Sequence, residues 1–270
     1  MLQDKKIGFI GGGNMAEALI KGLLAGGVPS SEIAVAEPVE ERRGVLWDSY
    51  GVNVTGDNQS VVSGSSVLIL SIKPQIAETV LGEIAATVAA NQLLISIMAG
   101  VKTATIEAFL PAKSRVIRVM PNTPALVMEA ASAICAGAGA GSDDISLARR
   151  IFDLIGKTFV LEEKLLDAVT GLSGSGPAYV YTFIEALSDA GVKNGLPRDI
   201  ATTLAAQTVY GSARLILETR EHPAILREKV TSPGGTTIAG IAALEQHGFR
   251  SAIISAVDAA TLRSKELGNK

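Results

Sequence analysis

Apolar positions along this chain repeat with two different periods, and the change between them falls near Glu162. Upstream, short runs rich in Val, Ile and Leu alternate with stretches of helical spacing. The runs are Ile7 to Ile10, Ile33 to Ala36, Val67 to Ile72, Leu93 to Ile97, Val116 to Val119, Ala133 to Ala136 and Thr158 to Val160. This alternation predicts an α/β fold, a mostly parallel sheet with helices on both faces. Beyond Glu162 the strand signals stop, and helices are predicted over 164–171, 177–194, 197–218, 224–229, 237–247 and 249–267. Pro197 and Gly248 stand at breaks between them, where helix-start and helix-stop residues belong. No low-complexity linker separates the halves, so two domains are expected, 1–162 and an all-helical 163–270. Apolar positions such as Leu187, Val192, Ile200, Leu204, Val209 and Leu215 on the late helices predict a face that pairs with another subunit.

The first run leads into Gly11-Gly-Gly-Asn-Met-Ala16, a G-x-G-x-x-A sequence that opens directly into a helix. In such a turn Gly11 permits the tight reversal, Gly13 lets a pyrophosphate approach the backbone, and Ala16 lets the helix pack closely on the strand. The phosphates then sit on the positive end of the helix. A bare glycine motif is weak, but a strand before it and a helix after it are the required context. The first domain is therefore expected to be of Rossmann type. Glu37 follows the second run, at the distance where an acid receives an adenosine ribose hydroxyl, which favours NAD(H). Arg42 and Arg43 lie one turn further on and could reach a 2′-phosphate, so NADP(H) stays open. Other loops at predicted strand ends are Ser71-Ile-Lys-Pro74, Met98-Ala-Gly100 and Met120-Pro-Asn-Thr-Pro124, where ligands lie in open sheets of this kind. Lys73 reads as a positioning residue, and Asn122 as a ligand contact or a rigid turn.

Composition narrows the partners. Lys and Arg number 24 against 27 Asp and Glu, a net charge of -3 without a basic stripe, and aromatics are 4%. Neither a phosphate-neutralising surface nor a set of stacking platforms is present, so no nucleic-acid partner is expected. No apolar run approaches the roughly 20 residues of a membrane-spanning helix. The N-terminal residues pass straight into the first strand pattern, which leaves no room for a targeting peptide and predicts a cytoplasmic protein. Cys135 is the single cysteine, and His222 and His247 are the only histidines, so no metal site is expected.

The chemistry has to work without an obvious acid or base. Gly171-Leu-Ser-Gly-Ser-Gly-Pro-Ala-Tyr-Val180 has the spacing of the G-x-x-G-x-G-x-x-x-K segment of β-hydroxyacid dehydrogenases, but Val180 replaces the lysine and Ile184 the following asparagine. His222 reads as a structural residue in a connector before Pro223, and His247 as one at a helix C-terminus near Gly248. Reduction of an imine fits better, because a protonated imine is already an electrophile that need only be oriented. Late in the chain, Lys229-Val-Thr-Ser-Pro-Gly-Gly-Thr-Thr-Ile238 gathers hydroxyls, glycines and amides before a helix. It suits a carboxylate and would equally serve as an interhelical cap.

Taken together, Gly11 to Ala16, Ser71 to Pro74, Met120 to Pro124, Asp167 to Tyr179 and Val230 to Thr237 resemble pyrroline-5-carboxylate reductases nearly end to end. The resemblance implies reduction of 1-pyrroline-5-carboxylate to L-proline by NADPH or NADH. It also implies that 163–270 binds substrate and forms a homodimer, with dimers assembling into larger rings. It places the substrate carboxylate on Ser232, Gly234, Gly235 and Thr236, with Thr237 as the catalytic hydroxyl near the ring nitrogen and Lys229 and Glu163 close by. For the cofactor it points to Ile10, Gly11, Gly12, Gly13, Asn14, Met15, Ala36, Asn58, Ser71, Ile72, Lys73, Pro74 and Ala99, with Glu37 at a position where family members differ.

Overall fold

The apolar runs become strands in the computed structural model, which describes residues 2–268. In chain order the strands are β1 (Ile7–Ile10), β2 (Ile33–Ala36), β3 (Asn53–Thr55), β4 (Val67–Leu70), β5 (Leu93–Ser96), β6 (Arg115–Met120), β7 (Ala130–Ala136) and β8 (Gly156–Val160). Helices α1 (Asn14–Ala25), α2 (Glu40–Tyr50), α3 (Asn58–Gly64), α4 (Ala77–Ile84), α5 (Thr103–Glu107) and α6 (Ser142–Phe152) fall between them. The sheet order is β3-β2-β1-β4-β5-β6-β7-β8, parallel throughout except that β7 runs antiparallel to β6. Strand order reverses between β1 and β4, which opens a crevice at their carboxyl ends. β3 was not foreseen because it is a three-residue edge strand, Asn-Val-Thr, with no fully buried position.

Period-two alternation sends neighbouring residues to opposite faces of the sheet. Val67 and Ile69 join one core with Ile7, Phe9, Leu19, Ile151 and Phe152. Leu68 and Leu70 join the other with Ile10, Val61, Leu81, Ile84 and Leu94. That double covering is why β4 is apolar without interruption and β1 and β5 nearly so. Each fully buried side chain of this kind stabilises by about 1.5–3 kcal/mol.

After β8 come a 3₁₀ turn (Glu163–Leu165), α7 (Leu166–Val169), a π-helical turn (Thr170–Gly174), α8 (Gly176–Lys193), α9 (Arg198–Thr219), α10 (Pro223–Lys229), α11 (Thr236–Gln246) and α12 (Phe249–Leu267). The chain forms two compact units. One runs through Ser175 and includes the stretch from Ala259 onward, and the other is Gly176–Asp258. The change of period at Glu162 therefore marks the end of the strands, while the first unit continues through the 3₁₀ turn, α7 and the π-helical turn. Leu166 is buried there, and the Asn122 side-chain amide donates to the Ser173 carbonyl at 3.0 Å.

Within the second unit α8 and α9 form a hairpin with close contact at small residues. A Cβ on Gly191 would lie 2.9 Å from the Cβ of Ala201, and the hydroxyls of Ser188 and Thr202 are 2.7 Å apart. Phe183 meets Phe249 with ring centroids 5.8 Å apart. Only Ser188, Ala201 and Ala205 are buried in this unit, whereas Leu187, Ile200, Leu204, Leu215 and Ile254 are exposed. Helices with so much uncovered apolar surface require a partner. Light scattering at micromolar concentration is expected to give at least twice the chain mass; a monomer would overturn the dimerisation role of these helices.

Candidate active site

The glycine loop sits at the β1/β4 crevice. Gly11 has φ +96, open to glycine at no steric cost, and a Cβ there would lie 2.7 Å from the Ser71 carbonyl oxygen. The turn is held by Gly11 N–H donating to Ala36 (2.8 Å) and by the Ser71 hydroxyl donating to the Gly11 carbonyl (2.7 Å). Gly13 is the N-cap of α1 and makes no side-chain cap, and a Cβ on it would meet nothing within 4 Å. The first turn of α1 thus presents backbone donors to open space, the arrangement that phosphate groups need. Ala16 is fully buried against the core, so the helix packs close to the strand.

Glu37 lies beyond the end of β2. Its carboxylate accepts Gly12 N–H at 2.8 Å and Val39 N–H at 3.0 Å. The two arginines that follow it are engaged with the protein. Arg42 donates from Nε to the Gly12 carbonyl (2.6 Å) and from Nη2 to Glu17 (2.5 Å), while Arg43 donates to the carbonyls of Glu37 (2.8 Å) and Pro38 (2.9 Å). Hydrogen bonds from Arg42 and Tyr50 hold the Glu17 carboxyl below the usual range, and burial with the Glu17 bond raises the Tyr50 hydroxyl. This Arg42–Glu17–Tyr50 network braces α1 against α2 and was not visible in the spacing of the sequence.

Ser71, Ile72, Lys73 and Pro74 follow β4, and Ala99 lies in the turn after β5, so they share the edge of the sheet with Ile10 to Met15 and Ala36. Lys73 is exposed at the start of a 3₁₀ turn. Asn58 begins α3, where its side-chain amide donates to Glu83 at 3.0 Å. Asn122 is structural: it accepts Ala131 N–H at 2.9 Å and donates to Ser173. A Cβ on Gly174 would come within 2.5 Å of Met120 Cε, so the glycine of the π-helical turn lets it lie against the end of β6.

Glu163 is drawn into the first unit. It accepts the N–H and the hydroxyl of Thr103, both at 2.8 Å, and pairs with Arg118 at 3.2 Å. Its carboxylate therefore caps the first turn of α5, where a negative charge is favourable. The Arg118 side chain is only 3% exposed and also lies 4.0 Å from Asp167, which accepts the Ser264 hydroxyl at 2.7 Å. Arg118, Glu163 and Asp167 line a cavity of about 420 Å³ together with Lys102, Lys164 and Lys265. A charged residue inside the apolar run Val116 to Val119 was the available signal for Arg118, since a charge in a covered strand needs a partner. Cys135 faces the same network; burial, with Glu163 adding to it, pushes its thiol up to about 11, so it stays a protonated core residue.

In the second unit the loop before α11 is open. Gly234 has φ +68, and Gly235 N–H donates to the Ser232 carbonyl at 3.1 Å, which closes the turn. Gly235 is the N-cap of α11 and gives no side-chain cap. Ser232, Gly234 and Thr236 are exposed and Thr237 is half-buried. The first-turn donors of α11 are met by no side-chain cap, an arrangement that an anion site and a glycine-capped interhelical turn share. Lys229 pairs with Glu221 at 2.5 Å. His222 accepts Ala224 N–H as the N-cap of α10, and His247 stands at the C-terminal end of α11. No cluster of His, Cys, Asp and Glu able to hold a metal occurs among the described residues.

A Rossmann-type sheet, a glycine loop at its switch point and an acid beyond β2 define a dinucleotide-dependent oxidoreductase. Residues 163–267 match the family model for pyrroline-5-carboxylate reductase dimerisation, and residues 6–100 match the model described as NADP oxidoreductase, coenzyme F420-dependent. A pyrroline-5-carboxylate reductase of Synechocystis sp. is 52% identical over 266 residues, 98% of this chain and 99% of that protein. A solved pyrroline-5-carboxylate reductase from Coxiella burnetii superposes with a TM-score of 0.91 at 37% identity, covering 97% of this chain and 98% of that one. The Plasmodium falciparum pyrroline carboxylate reductase, solved with NADP bound, gives 0.89 at 33% identity over 98% and 99% of the two chains. The chain belongs to the pyrroline-5-carboxylate reductase family.

Proposed function

We propose that this protein reduces 1-pyrroline-5-carboxylate to L-proline with NADPH or NADH, the final step of proline biosynthesis. When bound, the dinucleotide supplies a hydride for the C=N carbon. The chain's own part is to hold and orient. Ile10 to Met15 and the amides opening α1 receive the pyrophosphate. Ala36, Glu37 and Asn58 border the adenosine, and Ser71 to Pro74 with Ala99 border the nicotinamide half. Ser232, Gly234, Gly235 and Thr236 receive the substrate carboxylate, Thr237 donates to or positions the ring nitrogen, and Lys229 contributes charge nearby. The observation that supports this reading is the exposed Ser-Pro-Gly-Gly turn at the N-terminus of α11, whose first-turn amides can receive an anion.

We further infer that 1–162 serves as the nucleotide domain and 163–270 as the substrate-binding and dimerisation domain of a cytoplasmic homodimer that assembles into larger rings. Nucleic acid and membrane are not partners. Among the described residues no helix is long and apolar enough to cross a membrane. The direct test follows oxidation of NADH and of NADPH in parallel with pyrroline-5-carboxylate, beside a 3-hydroxy acid assayed in the oxidative direction. Turnover is expected with the imine and not with the hydroxy acid; the reverse outcome would sink the proposal.

A further inference from the structure

We propose that Glu37 makes this protein select NADH over NADPH, its carboxylate being fixed where the 2′ position of the adenosine ribose must lie. The inference rests on the glycine loop being a cofactor site and adds which dinucleotide that site takes. A carboxylate beyond the second strand of such a sheet is placed to accept ribose hydroxyls. Here Oε2 accepts Gly12 N–H at 2.8 Å and Oε1 accepts Val39 N–H at 3.0 Å, so the group is held at both oxygens. Each oxygen keeps acceptor capacity for a hydroxyl donor. A ribose 2′-hydroxyl can use it. A 2′-phosphate brings acceptor oxygens and negative charge, and meets only repulsion there.

Two responses could relieve that repulsion, and the structure closes both. Glu37 could turn away, but that strips the Gly12 and Val39 amides of their partners. An arginine could neutralise the phosphate, yet both candidates are engaged. Arg42 bridges the Gly12 carbonyl (2.6 Å) and Glu17 (2.5 Å), and Glu17 is held in turn by the Tyr50 hydroxyl at 2.7 Å. Arg43 donates to the carbonyls of Glu37 and Pro38 at 2.8 and 2.9 Å, so it braces the turn that carries Glu37. The Gly12 peptide is gripped on both sides, its N–H by Glu37 and its carbonyl by Arg42. A relative of the same fold was solved with NADP bound, so the selection belongs to these side chains and not to the architecture.

The test titrates the full-length protein with NADH and with NADPH in the absence of any imine, following nucleotide fluorescence. NADH is expected to bind at least about 10-fold more tightly, equivalent to about 1.4 kcal/mol. Glu37→Gln, which keeps an acceptor for Gly12 N–H, is expected to narrow that ratio mainly by tightening NADPH, and Glu37→Ser to narrow it further. A purely structural role would weaken both nucleotides alike and leave their ratio unchanged. Equal or tighter NADPH binding by the unaltered protein overturns the proposal without any variant having to fold, and so does an unchanged ratio in a folded Glu37→Gln. If neither nucleotide binds, the cofactor site is misassigned and the proposal falls with it. If the ratio holds but pyrroline-5-carboxylate is not reduced, the selection stands and only the substrate assignment fails.

Discussion

Thr237→Ala is expected to lower kcat about 10-fold or more while leaving the protein folded and its nucleotide affinity unchanged. Thr237 stands in the first turn of α11, where its side chain is half-buried and forms no hydrogen bond among the described residues. Its hydroxyl is therefore available to the substrate, and alanine at a helical position carries no propensity cost. A single hydroxyl that strengthens its bond to the ring nitrogen in the transition state is worth about 1.4 kcal/mol for each factor of ten in rate. Its loss should appear in kcat and kcat/KM together, since a contact made equally to bound substrate would change KM alone. Thr237→Ser keeps the hydroxyl and should recover most of the rate. Unchanged kcat and KM in the alanine variant would remove Thr237 from the mechanism.

The second large effect is on stability. Arg118 lies on β6 with its side chain 3% exposed, 3.2 Å from Glu163 and 4.0 Å from Asp167. Removing one member of a buried ion pair leaves the other uncompensated, at a cost of about 3–5 kcal/mol. Glu163 and Asp167 are 29% and 17% exposed, and Glu163 keeps both bonds from Thr103, so the lower end applies. Arg118→Ala is thus expected to destabilise by about 3 kcal/mol, a fall in Tm of roughly 6–12 °C. Arg118→Lys keeps the charge but not the fork of donors and should lose less. Thermal melts read by circular dichroism decide it, and a shift of less than about 2 °C in Arg118→Ala would show that the network contributes little.

The outline of the fold was legible in the chain because it is written in local terms. A parallel sheet covered on both faces needs near-continuous apolar strands, and Ile7 to Ile10 and Val67 to Leu70 provide them. The glycine loop was legible for the same reason, since Gly11 and Ala16 answer to a backbone angle and a packing distance within a few residues of each other. The loop from Lys229 to Ile238 was legible as a place for an anion or a cap. The structure shows an exposed turn ahead of α11, which serves either role. The strand β3 escaped notice because three residues at a sheet edge carry no pattern of their own.

Read alone, the chain established its two periods and the glycine loop between the first strand and the first helix, both of which follow from residue type and short-range spacing. Folding was needed to say which distant groups meet. It gave Glu163 to Thr103 and Arg118, 60 and 45 positions away. It also gave Asn122 to Ser173, and Arg42 to Gly12 and Glu17. A charged or amide side chain announces that it needs a partner once buried, but not which one. The partner is set by strand order and helix packing, and these bring together residues between which local spacing carries no information.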